Sequence, residues 1–182
     1  MRVSRNALVH LTPDGDLAAG AVPGHTRLWP FTQSWRFPWR SRNPGWLDPI
    51  NLLALRATPE TVRDALLGAG WIRPDDGATH RTWVNGTFRR MHDHIALGER
   101  AERIHIRLFA LADGALVAAH HEVANGRGKH RVTSWDRARS ETAEALEAAG
   151  FVRLSPTGPI TPRDLRGVPS DGRAWRLVGP EY

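Results

Sequence analysis

The stretch RIHIRLFALADGALVAAHHEVA, residues 103–124, decides the fold of this chain. It contains two apolar runs joined by Asp113 and Gly114, a dipeptide typical of the two-residue loop of a β-hairpin. A loop of those two residues would place Ala112 opposite Ala115, and every further pair would follow from that register. The sequence therefore predicts a long antiparallel hairpin in the middle of the chain.

The predicted register divides the side chains of the hairpin between two faces, because neighbouring side chains of a strand point to opposite sides of the sheet. It sets Arg107 opposite His120, and His105 opposite Glu122. One face is polar and carries Arg103, His105, Arg107, His120 and Glu122. The other face is apolar except for His121 and carries Ile104, Ile106, Leu108 and Val123. We expect helices on the apolar face, and we expect the polar face to point away from them.

The polar face is the candidate site. A carboxylate beside an imidazole orients the ring for acid/base catalysis or for metal ligation. We therefore assign His105 and Glu122 to catalysis, together with Arg107, which could hold an anionic substrate or stabilise developing negative charge. Arg103 and His120 are candidate ligand-binding residues. The alternative interpretation is a solvated sheet face with cross-strand charge pairs.

Histidines are concentrated around this hairpin. Seven of the nine are His80, His92, His94, His105, His120, His121 and His130. A zinc ion takes three or four nitrogen, oxygen or sulfur ligands, so the imidazoles suffice in number for a metal site. His92 and His94 flank Asp93 and would share one face if that segment is extended. No HExxH motif is present. The metal ligands and the cofactor therefore stay unassigned, with a divalent metal ion as one hypothesis.

Two similar segments flank the hairpin, DALLGAGWIR at residues 64–73 and EALEAAGFVR at residues 144–153. Each has apolar residues at helical spacing and then a glycine, Gly70 or Gly150, which is typical of a helix end. The aromatic residue after each glycine begins a segment with the composition of a strand. Each copy therefore predicts a helix followed by a strand.

The residues before each copy complete a strand–helix–strand unit. Residues 50–57 have the composition of a strand, and Thr58 before a proline is typical of a helix N-cap. Residues 129–135 have the composition of the second such strand, and Asp136 is the candidate N-cap after it. Two helices of similar register imply two similar packings on one shared sheet, whether from duplication or from convergence on a common helix end.

These elements predict an α+β fold, with a mixed or antiparallel sheet, two helices on one face and pseudo-repeated strand–helix–strand units. Residues 1–48 are rich in Trp, Pro and Arg, and proline disfavours helices and central strands. They predict an extended N-terminal arm that packs on the domain, with binding to a partner as the alternative. Residues 49–155 would form the domain. Residues 156–182 would form a C-terminal strap with one short strand at residues 173–178.

Composition limits the class of protein. The chain has 182 residues, 41% hydrophobic residues and no cysteine, which excludes disulfides and thiolate metal sites. No apolar run approaches the roughly 20 residues of a membrane span, and no basic-then-apolar leader begins the sequence. We therefore expect a cytoplasmic protein, with peripheral association with a membrane as the alternative.

The charge of the chain favours an anionic partner. The net charge is +6, and Lys129 is the single lysine among 25 basic residues. Arginine binds phosphate and carboxylate groups with two parallel hydrogen bonds, which favours an anionic small molecule or a lipid headgroup. A GC-rich coding bias would give the same excess of arginine. Because the basic residues are scattered, nucleic acid is a disfavoured partner. The oligomeric state stays unassigned.

Three segments resemble the LssY C-terminal domain family, namely residues 48–71, 103–119 and 129–146. The matching motifs are Gly70-Trp71, His105-x-Arg107-Leu108-Phe109, His130, and Asp136 with Arg139. The resemblance implies that His130 and Arg139 join the ligand-binding residues. In the family the domain often follows membrane-embedded segments related to lipid phosphatases or transporters, and it has no established activity. This chain departs from the pattern at Ala138-Arg139-Ser140, at His120-His121-Glu122, and in having no membrane segment.

Two hypotheses of function follow, and whether the protein is an enzyme stays open between them. The first is a hydrolase for an anionic, phosphoester-type substrate, with His105 as general acid/base and Glu122 orienting it. The second is a non-catalytic accessory domain that recognises an anionic ligand, a membrane surface or a partner protein. The first hypothesis needs a concave pocket around His105. The second expects a flat or arm-covered face and no histidine with a perturbed pKa.

Overall fold

The structure is a computed structural model that describes residues 32–34, 47–74, 81–84, 87–111, 113–125, 130–156, 164–165 and 167–180. These residues confirm the α+β class. The helices are α1 (Pro59–Gly68) and α2 (Asp136–Ala148). The main sheet has the spatial order β10 (Val152–Arg153), β13 (Trp175–Val178), β3 (Leu52–Leu55), β8 (Gly114–Ala124), β7 (Glu102–Leu111) and β6 (Asp93–Glu99), and β9 (His130–Ser134) also pairs with β8.

Two smaller sheets complete the described strands. One has the order β2 (Leu47–Pro49), β1 (Thr32–Ser34), β4 (Arg81–Val84) and β5 (Thr87–Arg90). The other joins β11 (Asp164–Leu165) to β12 (Val168–Pro169). Within the described residues only β13 and β3 pair in parallel, so the main sheet is mixed and mostly antiparallel.

The central hairpin forms between β7 and β8, but two residues away from the predicted register. Leu111 pairs with Gly114, so His105 lies opposite His120 and not opposite Glu122. The predicted cross-strand pairs are therefore wrong. Because the displacement is an even number of residues, each side chain keeps its predicted face.

The displacement has a cause in the neighbouring strand. Gly114 is the first residue of β8 and pairs with Leu55 of β3. A Cβ atom on this glycine would collide with the carbonyl oxygen of Ala54. Gly114 therefore allows two backbones to approach closely, which a sequence pattern does not distinguish from a turn glycine. Ala112 lies outside the described residues, and its predicted partner Ala115 pairs with Ala110.

Both helices pack on the apolar face of the hairpin, as predicted. Val62 and Leu66 of α1 and Leu146 of α2 lie in one buried cluster with Ile104 and Ile106 of β7. This packing leaves the opposite face of the hairpin free of helices. Because side chains alternate along β7, those that do not face the helices point to the opposite, helix-free face, where the candidate site lies.

The ends of the helices follow the sequence with one exception. Thr58 caps α1 and accepts a hydrogen bond from the Thr61 backbone N–H at 3.2 Å. Gly70 and Gly150 have positive φ angles of 87° and 92° just after the two helices. The expected N-cap role of Asp136 is wrong, because Asp136 begins α2 and its carboxylate instead accepts hydrogen bonds from residues 170 and 171.

The two pseudo-repeated units share one strand. β3 and β9 both pair antiparallel with β8, on the edge that β7 does not use. Asn51 bridges the gap between them, because its side chain bonds both backbone groups of Ala119 and the carbonyl oxygen of Trp135. The units differ after their helices: β10 follows α2, whereas Ile72 makes only an isolated bridge to Ala96. The predicted strand after α1 is therefore wrong.

The terminal segments join the sheets. β13 is the short strand predicted for the C-terminal strap, and it lies between β10 and β3, so the main sheet continues beyond residue 155. β1 and β2 come from the N-terminal segment and pair with each other. The tryptophans predicted to pack from the arm, Trp29, Trp35, Trp39 and Trp46, lie outside the described residues.

Candidate functional site

Polar side chains from four strands converge on the helix-free face of the main sheet. β6 contributes His94 and β9 contributes His130. The hairpin contributes Arg103, His105, Arg107, His120 and Glu122. The register of β7 and β8 confirms that these five hairpin residues share a face. We call the seven residues the polar cluster.

The centre of the polar cluster is buried. His105, His120 and Glu122 expose only 5%, 2% and 6% of their surface, and Arg107 is buried with them. Arg103 and Glu122 do form the cross-strand ion pair that the alternative interpretation expects. A solvated face, however, is wrong for these residues. Because burying a charge is costly unless it is paired, the geometry of the pairs decides what the cluster can do.

The Glu122 carboxylate lies at the centre of the cluster. Its Oε1 accepts a hydrogen bond from Arg103 Nε at 2.7 Å and lies 2.7 Å from His130 Nδ1. Its Oε2 lies 3.0 Å from His120 Nε2. His105 Nδ1 is farther away, at 3.6 Å from Oε1. Glu122 therefore approaches His105 diagonally across the two strands, because His120 is the residue directly opposite His105.

Neighbouring rings hold the two central histidines. His105 Nδ1 lies 3.1 Å from His120 Nε2. The His94 ring packs against His105 with 3.9 Å between centroids, and the Trp135 ring meets His120 edge-on at 6.0 Å. Both imidazoles are therefore fixed in orientation by packing as well as by polar contacts.

Burial and charge set the protonation states of this centre. Burial raises the pKa of Glu122, but the nearby His105 and His120 nitrogens outweigh it and hold that pKa far below its usual range. Burial lowers the pKa of His105 well below 6.5, against the opposing influence of Glu122. At neutral pH the centre therefore combines an ionised carboxylate with a neutral imidazole.

The two close contacts of His120 Nε2 cannot both be good hydrogen bonds. His120 Nε2 faces both Glu122 Oε2 and His105 Nδ1, and a single N–H donates well to one acceptor. His105 Nε2 is buried and has no hydrogen-bond partner within the described residues. The arrangement therefore presents several lone pairs to one small space.

The two arginines differ in their setting. Arg107 lies beside the histidines, where its charge contributes to the low pKa of His105. Arg103 bonds Glu122 and also lines a cleft of about 350 Å³ at the end of β6 and β7, but the cleft is otherwise lined by residues such as His121, Arg137 and Glu141 and does not include His105. Arg103 and His130, with 11% and 19% of their side chains exposed, form the accessible rim of the cluster.

Arg139 is the one predicted site residue that the structure places elsewhere. It lies in α2, on the opposite side of the sheet, and its guanidinium bonds the Asp171 carboxylate through two nitrogens, at 2.6 and 3.0 Å. It also donates to the carbonyl oxygen of Arg173 at 2.8 Å. Because the bidentate pair occupies the fork of the guanidinium, Arg139 anchors the C-terminal segment to α2.

The remaining histidines of the sheet fall outside the cluster or were not assigned. His121 lies on the helix side, 3.0 Å from Glu102 and 2.6 Å from Thr133. β6 begins at Asp93, so His92 contacts Glu60 of α1 at 3.1 Å and does not share a face with His94. His94 joins the cluster because β6 pairs with β7 and sets His94 opposite Arg107, a pairing that the spacing of residues along the chain does not indicate.

No protein-family model, curated protein or solved structure matches this chain. The resemblance to the LssY C-terminal domain family therefore stays a prediction. Within the described residues, no helix has both the length and the apolar character required to cross a membrane.

Proposed function

We propose that this chain is a hydrolase for an anionic, phosphoester-type substrate and that the polar cluster is its active site. One observation carries the proposal: the side chains of His105, His120, Glu122 and Arg107 meet on one buried face, and Arg103 pairs with Glu122 at its edge. Hydrolysis of a phosphoester needs a group that activates water and positive charge that holds the phosphoryl oxygens. The cluster contains a candidate water-activating group and two arginines, on adjacent strands of one sheet.

The roles follow from position. His105, His120 and Glu122 would activate a water molecule, because their lone pairs converge and the imidazole is neutral. Arg107 would stabilise negative charge that develops on the substrate, since it lies beside His105. Arg103 and His130 would meet the substrate first, because they form the accessible rim. A cytoplasmic location, with peripheral membrane association as the alternative, accompanies this proposal.

The test is turnover of a generic phosphoester by the untagged full chain. We expect release of p-nitrophenolate from bis(p-nitrophenyl) phosphate, and a loss of about 100-fold or more in Glu122→Gln. His121→Gln is the matched control, because His121 is adjacent in β8 and equally buried but lies on the helix side. Wild-type turnover no greater than that of Glu122→Gln would contradict the proposal.

The burial of the cluster favours a second candidate, an accessory domain that binds an anion without turnover. In that case Arg103 and His130 at the rim would hold the ligand, and the buried groups would only support them. Calorimetric titration with inorganic phosphate distinguishes the two. Saturable binding that Arg103→Gln abolishes, with no hydrolysis by the wild type, would favour the accessory domain.

A further inference from the structure

We propose that His105 Nδ1, His120 Nε2 and Glu122 Oε2 bind one divalent cation of the zinc class. The three residues are buried, and one ligand atom of each lies within 4.8 Å of the others. His120 Nε2 is 3.1 Å from His105 Nδ1 and 3.0 Å from Glu122 Oε2. The inference names a ligand that the proposed hydrolysis does not by itself require.

The separations of the ligand atoms fit a small metal ion. Two ligands of a tetrahedral zinc ion with bonds of 2.0–2.2 Å lie about 3.3 Å apart. The separations of 3.0 and 3.1 Å at His120 differ from that value by a few tenths of an ångström. The third pair is wider, because His105 Nδ1 comes no closer to Glu122 than 3.6 Å, at Oε1, so a cation would draw these two side chains together.

A cation also resolves the crowding of lone pairs. Without a cation, His120 Nε2 lies close to both Glu122 Oε2 and His105 Nδ1, but it carries at most one hydrogen and can donate it to only one of them. With a cation, each of the three atoms directs a lone pair at one positive charge. Convergence of three buried ligand atoms is the arrangement that a metal site requires and a hydrogen-bond network does not.

Neighbouring side chains hold the ligands in position. Arg103 and His130 both contact Oε1 of Glu122, which leaves Oε2 directed at His120. The positive charge of Arg103 is therefore separated from the cation by the carboxylate. Such outer contacts fix ligand orientation in metal sites, and the packing of His94 against His105 acts in the same sense.

The donor set selects the class of metal. Two imidazole nitrogens and one carboxylate suit zinc or a similar transition metal, whereas Mg²⁺ and Ca²⁺ prefer oxygen ligands throughout. Three protein ligands leave a coordination position for water, as in catalytic zinc sites. If the proposed hydrolysis is correct, that water would be the nucleophile, because zinc lowers its pKa.

Calorimetric titration of the untagged, chelator-treated full chain with ZnCl₂ tests the proposal. We expect one equivalent to bind, with no competition from Mg²⁺ or Ca²⁺. His120→Gln and Glu122→Gln should each weaken binding by at least about 100-fold. His121→Gln should bind as the wild type does. Absence of saturable binding by the wild type, or equal loss in His121→Gln and His120→Gln, would overturn the proposal.

A measurement on the wild type guards against variants that do not fold. Pulsed electron paramagnetic resonance of the Cu²⁺-loaded chain should show coupling to two imidazole rings, and no such coupling would overturn the site. Circular dichroism reports the folding of each variant. Zinc binding without phosphoester turnover would refute the proposed hydrolase and leave the metal site standing. Turnover by a chelator-treated chain that does not bind zinc would refute the metal site and leave the proposed hydrolase standing.

Discussion

The two faces of the β7–β8 hairpin each carry a histidine beside a glutamate, with very different surroundings. On the helix side, His121 contacts Glu102 at 3.0 Å, and Glu102 exposes 58% of its side chain. On the other side, His120 contacts Glu122 at 3.0 Å, and Glu122 exposes 8%. The two histidines are neighbours in sequence. The comparison shows that the number of buried groups around the carboxylate, not the pair itself, distinguishes a candidate site from a surface contact.

Replacing each glutamate in turn should give the largest contrast between the faces. Glu122→Ala should lower the free energy of unfolding by about 3–5 kcal/mol, because it removes the buried carboxylate that pairs with Arg103 and His120. Glu102→Ala should change it by less than about 1 kcal/mol, since the Glu102 pair is exposed on one side. Urea denaturation of both variants measures the difference. Equal effects would show that burial does not separate the two faces.

A larger residue at position 114 should destabilise the hairpin that carries both faces. Gly114→Ala should destabilise the protein by about 1–3 kcal/mol, because the new Cβ collides with the carbonyl oxygen of Ala54. Gly68→Ala is the control, because nothing lies within 4 Å of a Cβ at this position in α1. It should raise stability by up to about 1 kcal/mol, since alanine favours helix. Thermal unfolding of both variants checks the pair, and a neutral Gly114→Ala would contradict the close approach of β3.

Acid should reveal a smaller effect on the helix side. Burial raises the pKa of Asp171, but Arg139 and the Arg173 backbone outweigh it and lower that pKa below 3.8. Because the folded pKa is depressed, the pair contributes stability above pH about 4 that is lost as pH falls through the folded value. Asp171→Asn should therefore flatten the stability profile below pH about 4. An unchanged profile in denaturation experiments at several pH values would contradict the role of Arg139.

The predictability of the candidate site differs from residue to residue. His105, His120 and Glu122 were found because alternation along a strand places them on one face. His94 and His130 belong to β6 and β9, and the distance along the chain says nothing of which strand lies beside which. For His130, the family resemblance is the only feature of the sequence that indicates a ligand-binding role. The same resemblance indicates Arg139, but its position in α2 places it on the other side of the sheet.

The fold likewise contains features that the local sequence predicts and features that depend on contacts between distant residues. Helix ends at Gly70 and Gly150 were predictable, because a glycine with positive φ is a local requirement of the chain. The role of Asp136 was not, because its carboxylate bonds Ser170, far along the chain. The strand expected after α1 is replaced by one bridge between Ile72 and Ala96 of β6, and this pairing also joins residues that are distant along the chain.

By itself, the sequence determined what depends on neighbours along the chain: the hairpin, the two faces of its strands, and the positions of α1 and α2. Side-chain alternation and helical periodicity are local properties of the backbone, so they are written in residue order. The tertiary structure decided the register, through the contact of Gly114 with β3, and it brought His94 and His130 to the polar cluster. It also buried Glu122, because burial depends on elements that pack together from distant parts of the chain.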